Sequence, residues 1–418
     1  MNRTHPLRLA AVVLTLVVPT AIGSTVDAGR HSGPPDRDPV RFATFNASLN
    51  RNNAGDLAAE LAVPGSAQPA AVAEIIQHAR PDVLLINEFD YDPVALELFQ
   101  ENYLAVSQRG AEPISYAYSF IAPSNTGVYS GFDLDNSGAA GDFVPNDSFG
   151  FGFFPGQFGM AVLSMYPIDH DDVRTFQHFL WADMPGALLP DDPATPEPAD
   201  WYSPEELEVL RLSSKSHWDV PIEIGGTTVH FLVSHPTPPV FDGEEDRNGT
   251  RNHDEIRFWA DYVGPGRSAG SYIYDDEGVS GGLRAGAKFV IAGDLNSDPL
   301  DGDSIPGSAQ LLLDHPRVNT KVTPSSEGAV EQAIAQGGAN DDHLSDPRFD
   351  TADFSDAAPG NLRADYVLPS KGLRIVDAAV YWPTSDDPAF EPVGIFPFPS
   401  SDHRLVWVDV QHGAFHQR

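Results

Sequence analysis

The sequence contains no cysteine, so neither a disulfide nor a thiolate-held metal can contribute to its stability or chemistry. Basic residues are scarce: 25 Lys and Arg stand against 60 Asp and Glu, a formal charge of −35. Gripping the backbone of a long nucleic acid without sequence preference needs a cationic surface that releases counterions. This composition disfavours such a partner, although a few cations gathered in one cleft could still hold one. No apolar stretch reaches convincing membrane-spanning length, so stable membrane insertion is not expected.

At the start, Arg3 and Arg8 precede an apolar run from Leu9 to Val18, and Val26-Asp27-Ala28 offers small residues for cleavage. Residues 1–28 therefore read as a signal peptide and the mature protein as secreted. The Gly-, Pro- and charge-rich stretch 29–39 reads as a flexible lead-in. The rest, about 40–412, is long enough for one large domain, expected to be a monomer, with a Gly-, Asp- and Phe-rich insertion at about 125–159.

Strand patterns over Arg41–Phe45, Val83–Ile86, Met160–Leu163, Thr228–Ser234, Lys288–Ala292, Ala364–Leu368 and Leu405–Val410 alternate with helical ones. Pro69 opens a helix with Val72, Ile75, Ile76 and Ala79 on one face. Asn252 and Glu255 read as a helix start ahead of Ile256, Trp259, Ala260 and Val263. The alternation indicates a layered α/β body with polar residues at strand ends.

The segment Phe289-Val290-Ile291-Ala292-Gly293-Asp294-Leu295-Asn296 carries the strongest chemical signal. A buried strand runs into a Gly, an acid and an amide, and alternation can aim Asp294 and Asn296 into one cleft. An Asp can orient or deprotonate water, and an Asn can donate to a phosphoryl oxygen. A strand followed by an Asx turn would look the same.

Ser401-Asp402-His403 ahead of a terminal strand, taken with Gly293-Asp294-Leu295-Asn296, resembles the endonuclease/exonuclease/phosphatase superfamily. Thr44-Phe45-Asn46, Ile86-Asn87-Glu88 and Arg363-Ala364-Asp365-Tyr366 fit the same family in the expected order. Phe45 stands where the family commonly has tryptophan. The resemblance implies a sandwich of two facing mixed sheets flanked by helices. It also implies hydrolysis of a phosphate ester by in-line attack of water, without a covalent intermediate. Glu88 would be the main ligand of Mg2+, or of Mn2+ or Ca2+, with Asn46 and Asp402 completing or buttressing the metal cleft. Asp294 would activate water, Asn296 would steady the phosphoryl oxygens, His403 would contact the phosphate, and Asp365 would orient His403. His235 in Val233-Ser234-His235-Pro236 is similar to the mid-chain histidine of the deoxyribonuclease and sphingomyelinase branches, where it would help protonate the leaving oxygen or stabilise the pentacovalent phosphorus; a turn residue before proline would look the same.

Three further groups stand out. Lys215 and His217 in Ser213-Ser214-Lys215-Ser216-His217-Trp218 offer a cation and an imidazole for substrate phosphate, or belong to an ordinary strand. Arg251 could face the cleft or pair with a neighbouring acid. Asp133, Asp135 and Ser137 resemble the first half of a calcium loop, although Val144 stands where its distal glutamate would be. An extracellular nuclease is the rival enzyme. A catalytically silent, calcium-dependent binding module is the rival of another class, and the intact acid, amide and histidine set argues against it.

Overall fold

The computed structural model describes residues 39–266 and 268–411. The expected signal peptide and all but the last residue of the lead-in lie outside them.

Thirteen strands are present among these residues: β1 Val40–Asn46, β2 Val83–Asn87, β3 Tyr118–Phe120, β4 Met160–Ser164, β5 Arg174–Thr175, β6 His217–Ile224, β7 Thr227–Ser234, β8 Lys288–Asp294, β9 Ala352–Asp353, β10 Asn361–Leu362, β11 Asp365–Pro369, β12 Arg374–Val380 and β13 Val406–Gln411. One sheet runs β12-β13-β1-β2-β4-β3 and the other β11-β8-β7-β6-β5, while β9 and β10 form a separate pair. Each large sheet has a single parallel pair, β1 with β2 and β7 with β8, and its other neighbours run antiparallel. A parallel pair needs a crossover connection. Helices α1 (Asp56–Leu61) and α2 (Ala67–Ala79) supply it for the first sheet. Among the later helices, α3 Pro93–Phe99, α4 Pro204–Leu207 and α5 Arg247–Tyr262, the last supplies it for the second.

Side-chain alternation assembles the layers. Along β7 and β8, Phe231, Val233, Val290 and Ala292 join the core shared with Phe42 of β1, and the Phe42 and Phe231 rings lie 5.5 Å apart between the sheets. The intervening Leu232, Phe289 and Ile291 face the other way, into a second core with Ile256 and Trp259 of α5. On the outside of the first sheet, Val72, Ile75 and Ile76 of α2 are buried at helical spacing, on the face the sequence predicts. Each such large apolar side chain contributes about 1.5–3 kcal/mol on burial. The result is two mixed sheets, face to face, with helices outside both.

Two elements differ from the sequence reading. α5 starts at Arg247, so Asn252 and Glu255 lie within the helix and do not cap it. Asn252 donates instead to the carbonyls of Thr237 and Leu295. The 125–159 segment forms isolated bridges, Thr126 with Gly150 and Tyr129 with Ser148, and neither a helix nor a strand.

Candidate active site

The alternation that packs the core also loads the cleft. Asn46, His235, Asp294 and Asp365 continue the inward-facing rows of Phe42, Val233, Ala292 and Val367, and so emerge between the sheets. They gather where the parallel strands end and where antiparallel β11 and β13 begin. Ligand sites in open α/β sheets commonly lie outside the carboxyl ends of strands. Glu88 follows the inward Asn87 and by alternation would face away, but its left-handed backbone, φ 57°, breaks the strand's pleat there. Gly293 is required by close approach: with φ 154°, a methyl there would meet the Ser234 carbonyl oxygen at 2.0 Å.

Asp294 is the centre of the arrangement. Its Oδ2 accepts from Asn46 Nδ2 at 3.0 Å and lies 3.4 Å from His235 Nε2 and 3.6 Å from His403 Nε2. Its Oδ1 accepts from the Asn296 backbone N–H at 2.9 Å. Burial opposes ionisation, but the charge of His403 and the donors on Asp294 outweigh it and hold the carboxyl well below its usual range. So weak a base orients water better than it removes a proton from it.

His403 lies between two acids. Its Nδ1 donates to Asp365 Oδ2 at 2.8 Å, and Thr351 Oγ1 donates to the same oxygen at 2.8 Å. Burial disfavours the imidazolium, yet Asp365 first and Asp294 next raise the His403 pKa well above its ordinary value. Burial in turn pushes Asp365 up to about 6, with His403 pulling it down. His403 is thus a proton-bearing donor at neutral pH. His235 differs: burial and then the Lys215 charge push it down to about 4. It is neutral, and because a carboxylate only accepts, the His235 proton sits on Nε2 toward Asp294. Its buried Nδ1 has no partner among the described residues.

Asn46 Nδ2 also donates to Glu88 Oε1 at 3.2 Å, and Asn50 Nδ2 donates to Glu88 Oε2 at 2.8 Å. Burial, then the neighbouring Asp402, raise the Glu88 pKa. Two partly exposed carboxylates that repel one another, with an amide beside them, form a donor set suited to a hard cation such as Mg2+. Asp294, Asp365 and His403 each bring a ligand atom within 4.8 Å of the others and could also hold an ion. A protonated His403, however, has no lone pair to give.

Asn296, partly exposed, uses its Nδ2 to donate to the Pro236 carbonyl at 3.1 Å. Lys215 comes within electrostatic reach of Glu88, Asp294 and His235. His217 does not join it. Its Nε2 donates to the Glu255 carbonyl at 2.8 Å and its Nδ1 lies 2.6 Å from Ser213 Oγ, with Phe258 and Trp259 packed on the ring. Both nitrogens are therefore occupied by the protein, and the residue is a core histidine. Arg251 is likewise internal: its guanidinium donates to the carbonyls of Leu212, Phe149 and Arg211. Asp133 and Asp135 meet Asp147, with ligand oxygens within 4.8 Å of one another, and Ser137 Oγ donates to Asp133 at 3.2 Å. Asp147 was not visible in the local spacing, and its oxygens accept from Leu134 N and Gly141 N.

Several supporting residues also lacked a sequence signal. Asn87 Oδ1 accepts from the Asp294 N–H, tying the sheets together at the cleft floor. Buried Glu255 accepts from Ser214 N, Ser214 Oγ and Thr237 N, so it pins the segments that carry Lys215 and His235. Buried Arg404 donates to Asp353 and to the carbonyls of Ser401 and His403, holding the histidine loop. Asn87 lies inside Ile86-Asn87-Glu88, and the signal at Glu255 points to a helix start and not to this role.

The sequence model of the endonuclease/exonuclease/phosphatase family matches residues 43–403, and the chain belongs to that family. It is accordingly an enzyme of the phosphoester-hydrolase class. No curated protein matches the sequence. Among solved structures, an endonuclease/exonuclease/phosphatase from Beutenbergia cavernae is 17% identical with a TM-score of 0.47, over 90% of this chain and 72% of that one. Sphingomyelinase C from Streptomyces griseocarneus is 14% identical with a TM-score of 0.41, over 89% and 99%. The human nocturnin catalytic domain with bound sulfate is 15% identical with a TM-score of 0.43, over 90% and 96%.

Proposed function

We propose that the protein is a secreted, divalent-metal-dependent phosphoesterase that hydrolyses phosphate esters by direct, in-line attack of water. The observation that carries this reading is the Asp294 carboxylate, fixed as an anion and flanked by the donors of Asn46, His235 and His403. Asp294 orients the water oxygen toward phosphorus. A bond forms between that oxygen and phosphorus while the bond to the ester oxygen breaks on the opposite side. The proton lost by water ends on the leaving oxygen or in solvent. His403, held as a donor by Asp365, stabilises the charge that grows on the phosphoryl oxygens. Asn296 steadies them, and neutral His235 holds Asp294 in place beside the leaving group.

Glu88, Asn46 and Asp402 would hold Mg2+, or Mn2+ or Ca2+, and a bound cation supplies further neutralisation of the phosphoryl charge. Secretion is supported by the apolar run Leu9–Val18 behind Arg3 and Arg8. Among the described residues no helix is long and apolar enough to cross a membrane. A nuclease is less well supported, because the acidic surface offers a polynucleotide few cations.

The test is a panel: a chromogenic phosphomonoester, a phosphodiester, a phospholipid and plasmid DNA, each with added Mg2+ and with chelator. Hydrolysis of a small ester that chelator abolishes and metal restores is expected. Full activity in chelator would remove the metal from the reading, and cleavage of plasmid DNA alone would establish the nuclease.

A further inference from the structure

Resting on that phosphoesterase reading, we infer that Lys215 fits the cleft to a terminal phosphate, the dianion of a phosphomonoester, in preference to a diester. Lys215 lies two residues before the start of β6 in the second sheet, and only 7% of its surface is exposed. His217 of β6 pairs with Ser234, and Glu255 accepts from both Ser214 and Thr237, so the Lys215 segment lies beside His235 at the cleft. Its ammonium interacts electrostatically with Glu255 first, then with Glu88, from the first sheet, and with Asp294 and His235, from the second. A group that senses both sheets lies between their ends. Its backbone carbonyl accepts from Asn125 N at 2.9 Å, but among the described residues its side chain makes no hydrogen bond and no ion pair within 4 Å.

Covering most of a lysine without giving its ammonium a hydrogen bond costs part of its hydration. The nearby carboxylates offset that cost only in part, burial still outweighing them, and each is already supplied with donors. Glu255 accepts from Ser214 and Thr237, Glu88 from Asn46 and Asn50, and Asp294 from Asn46 and the backbone of Asn296. The charge of Lys215 is therefore offset only in part by Glu255, Glu88 and Asp294, and its donor protons are available to an anion entering the cleft. Other cations near the site are committed elsewhere: Arg51 to Glu60 and Gln68, Arg251 to three carbonyls, Arg404 to Asp353.

The two ester classes differ in what they ask of such a site. A phosphomonoester carries about −1.5 to −2 charges near neutral pH and three strong acceptor oxygens. A diester carries one charge, two free oxygens and a second organic arm that must also be housed. Lys215 supplies a charged donor in addition to that of His403, matching the extra charge and the third oxygen. With Arg51, Arg251 and Arg404 committed, few cations around the cleft are left for the flanking phosphates of a polymer.

The experiment compares the full chain with Lys215→Met on p-nitrophenyl phosphate and on bis(p-nitrophenyl) phosphate, with Mg2+. Lys215→Met is expected to lower kcat/KM for the monoester by about 10²-fold, as for loss of an electrostatic donor, and for the diester by only a few-fold. Lys215→Arg, which keeps the charge, should retain most monoester activity. In parallel, calorimetry with inorganic phosphate and with dimethyl phosphate reads binding without turnover, and phosphate binding alone should weaken in Lys215→Met. Equal losses on both esters, or undiminished phosphate binding, would overturn the inference. If the wild type hydrolyses neither ester, the phosphoesterase reading fails, while the phosphate titration still decides the role of Lys215. Should Lys215→Met not fold, acylation footprinting of the wild type replaces it. Protection of Lys215 by phosphate and not by dimethyl phosphate supports the inference, and equal labelling refutes it.

Discussion

Replacing His403 by alanine is expected to lower kcat by about 10²- to 10³-fold while moving KM only a few-fold. The imidazole is held between Asp365 and Asp294 and kept protonated by them. A donor of this kind gains strength as charge accumulates on the phosphoryl oxygens, so its loss is felt in the transition state more than in substrate binding. Asp365→Asn keeps the ring but removes the charge that orients it, and should show a smaller version of the same defect. The sign of the pH effect follows from the direction of the shift. Activity that requires protonated His403 is present below its raised pKa and is lost as pH rises through it. The same linkage gives stability that is fully present below the unfolded value of about 6.5 and declines as pH rises through the folded one. Asp365→Asn should move the alkaline limb of the rate profile to lower pH. Steady-state kinetics across pH, with folding followed by circular dichroism, checks all of these. A folded His403→Ala protein turning over within a few-fold of wild type would remove Ser401-Asp402-His403 from the catalytic machinery.

Glu88→Gln is expected to keep the fold and to raise the concentration of Mg2+ needed for half-maximal activity by on the order of 10- to 100-fold or more, the scale seen even for outer-shell residues of metal sites. Gln is isosteric and can still accept from one of Asn46 and Asn50, which now hold the two Glu88 oxygens; its NH2 meets the other amide, which must flip to offer its oxygen. What it lacks is the charge that offsets a cation's loss of water. The raised pKa of Glu88 also predicts that metal affinity weakens as pH falls through it, since the protonated carboxyl competes. Metal should stabilise the wild type by roughly 2.7 kcal/mol at a hundred times its dissociation constant, and the variant by less. Thermal melts with metal and with chelator give the comparison, and a variant indistinguishable from wild type in both metal requirement and melting would exclude Glu88 as a ligand.

These residues were legible because strand alternation and motif order act locally. Val290 and Ala292 facing inward fix where Asp294 must point, and the same holds for Asp365 after the turn at Arg363. β12, Arg374–Val380, is a half-exposed edge strand whose apolar residues Ile375, Ala378 and Val380 are thrown out of simple alternation by a bulge between Ile375 and Asp377, so no period-two pattern marks it. β6 contains Pro221, which reads as a strand breaker, yet it sits paired opposite His230. His217 and Arg251 lie in a polar stretch that gives no hint of the second core, so a histidine against Phe258 and an arginine capping carbonyls looked like ligands for phosphate. Glu255, Thr351 and Arg404 act through contacts to chain segments far away in sequence, and no local pattern encodes such a partner.

The central claim is that the ester is cleaved at its P–O bond, with an oxygen from water ending on phosphorus, in a metal-supported cleft centred on Asp294. It is tested most directly by a single turnover of a small phosphomonoester in ¹⁸O-water, with Mg2+ present and with chelator, the released phosphate being read by mass spectrometry. The structure leads to the expectation of one ¹⁸O in the phosphate, none in the alcohol, and no release in chelator or in Asp294→Asn. Label in the alcohol, or phosphate released by Asp294→Asn at the wild-type rate, would contradict it.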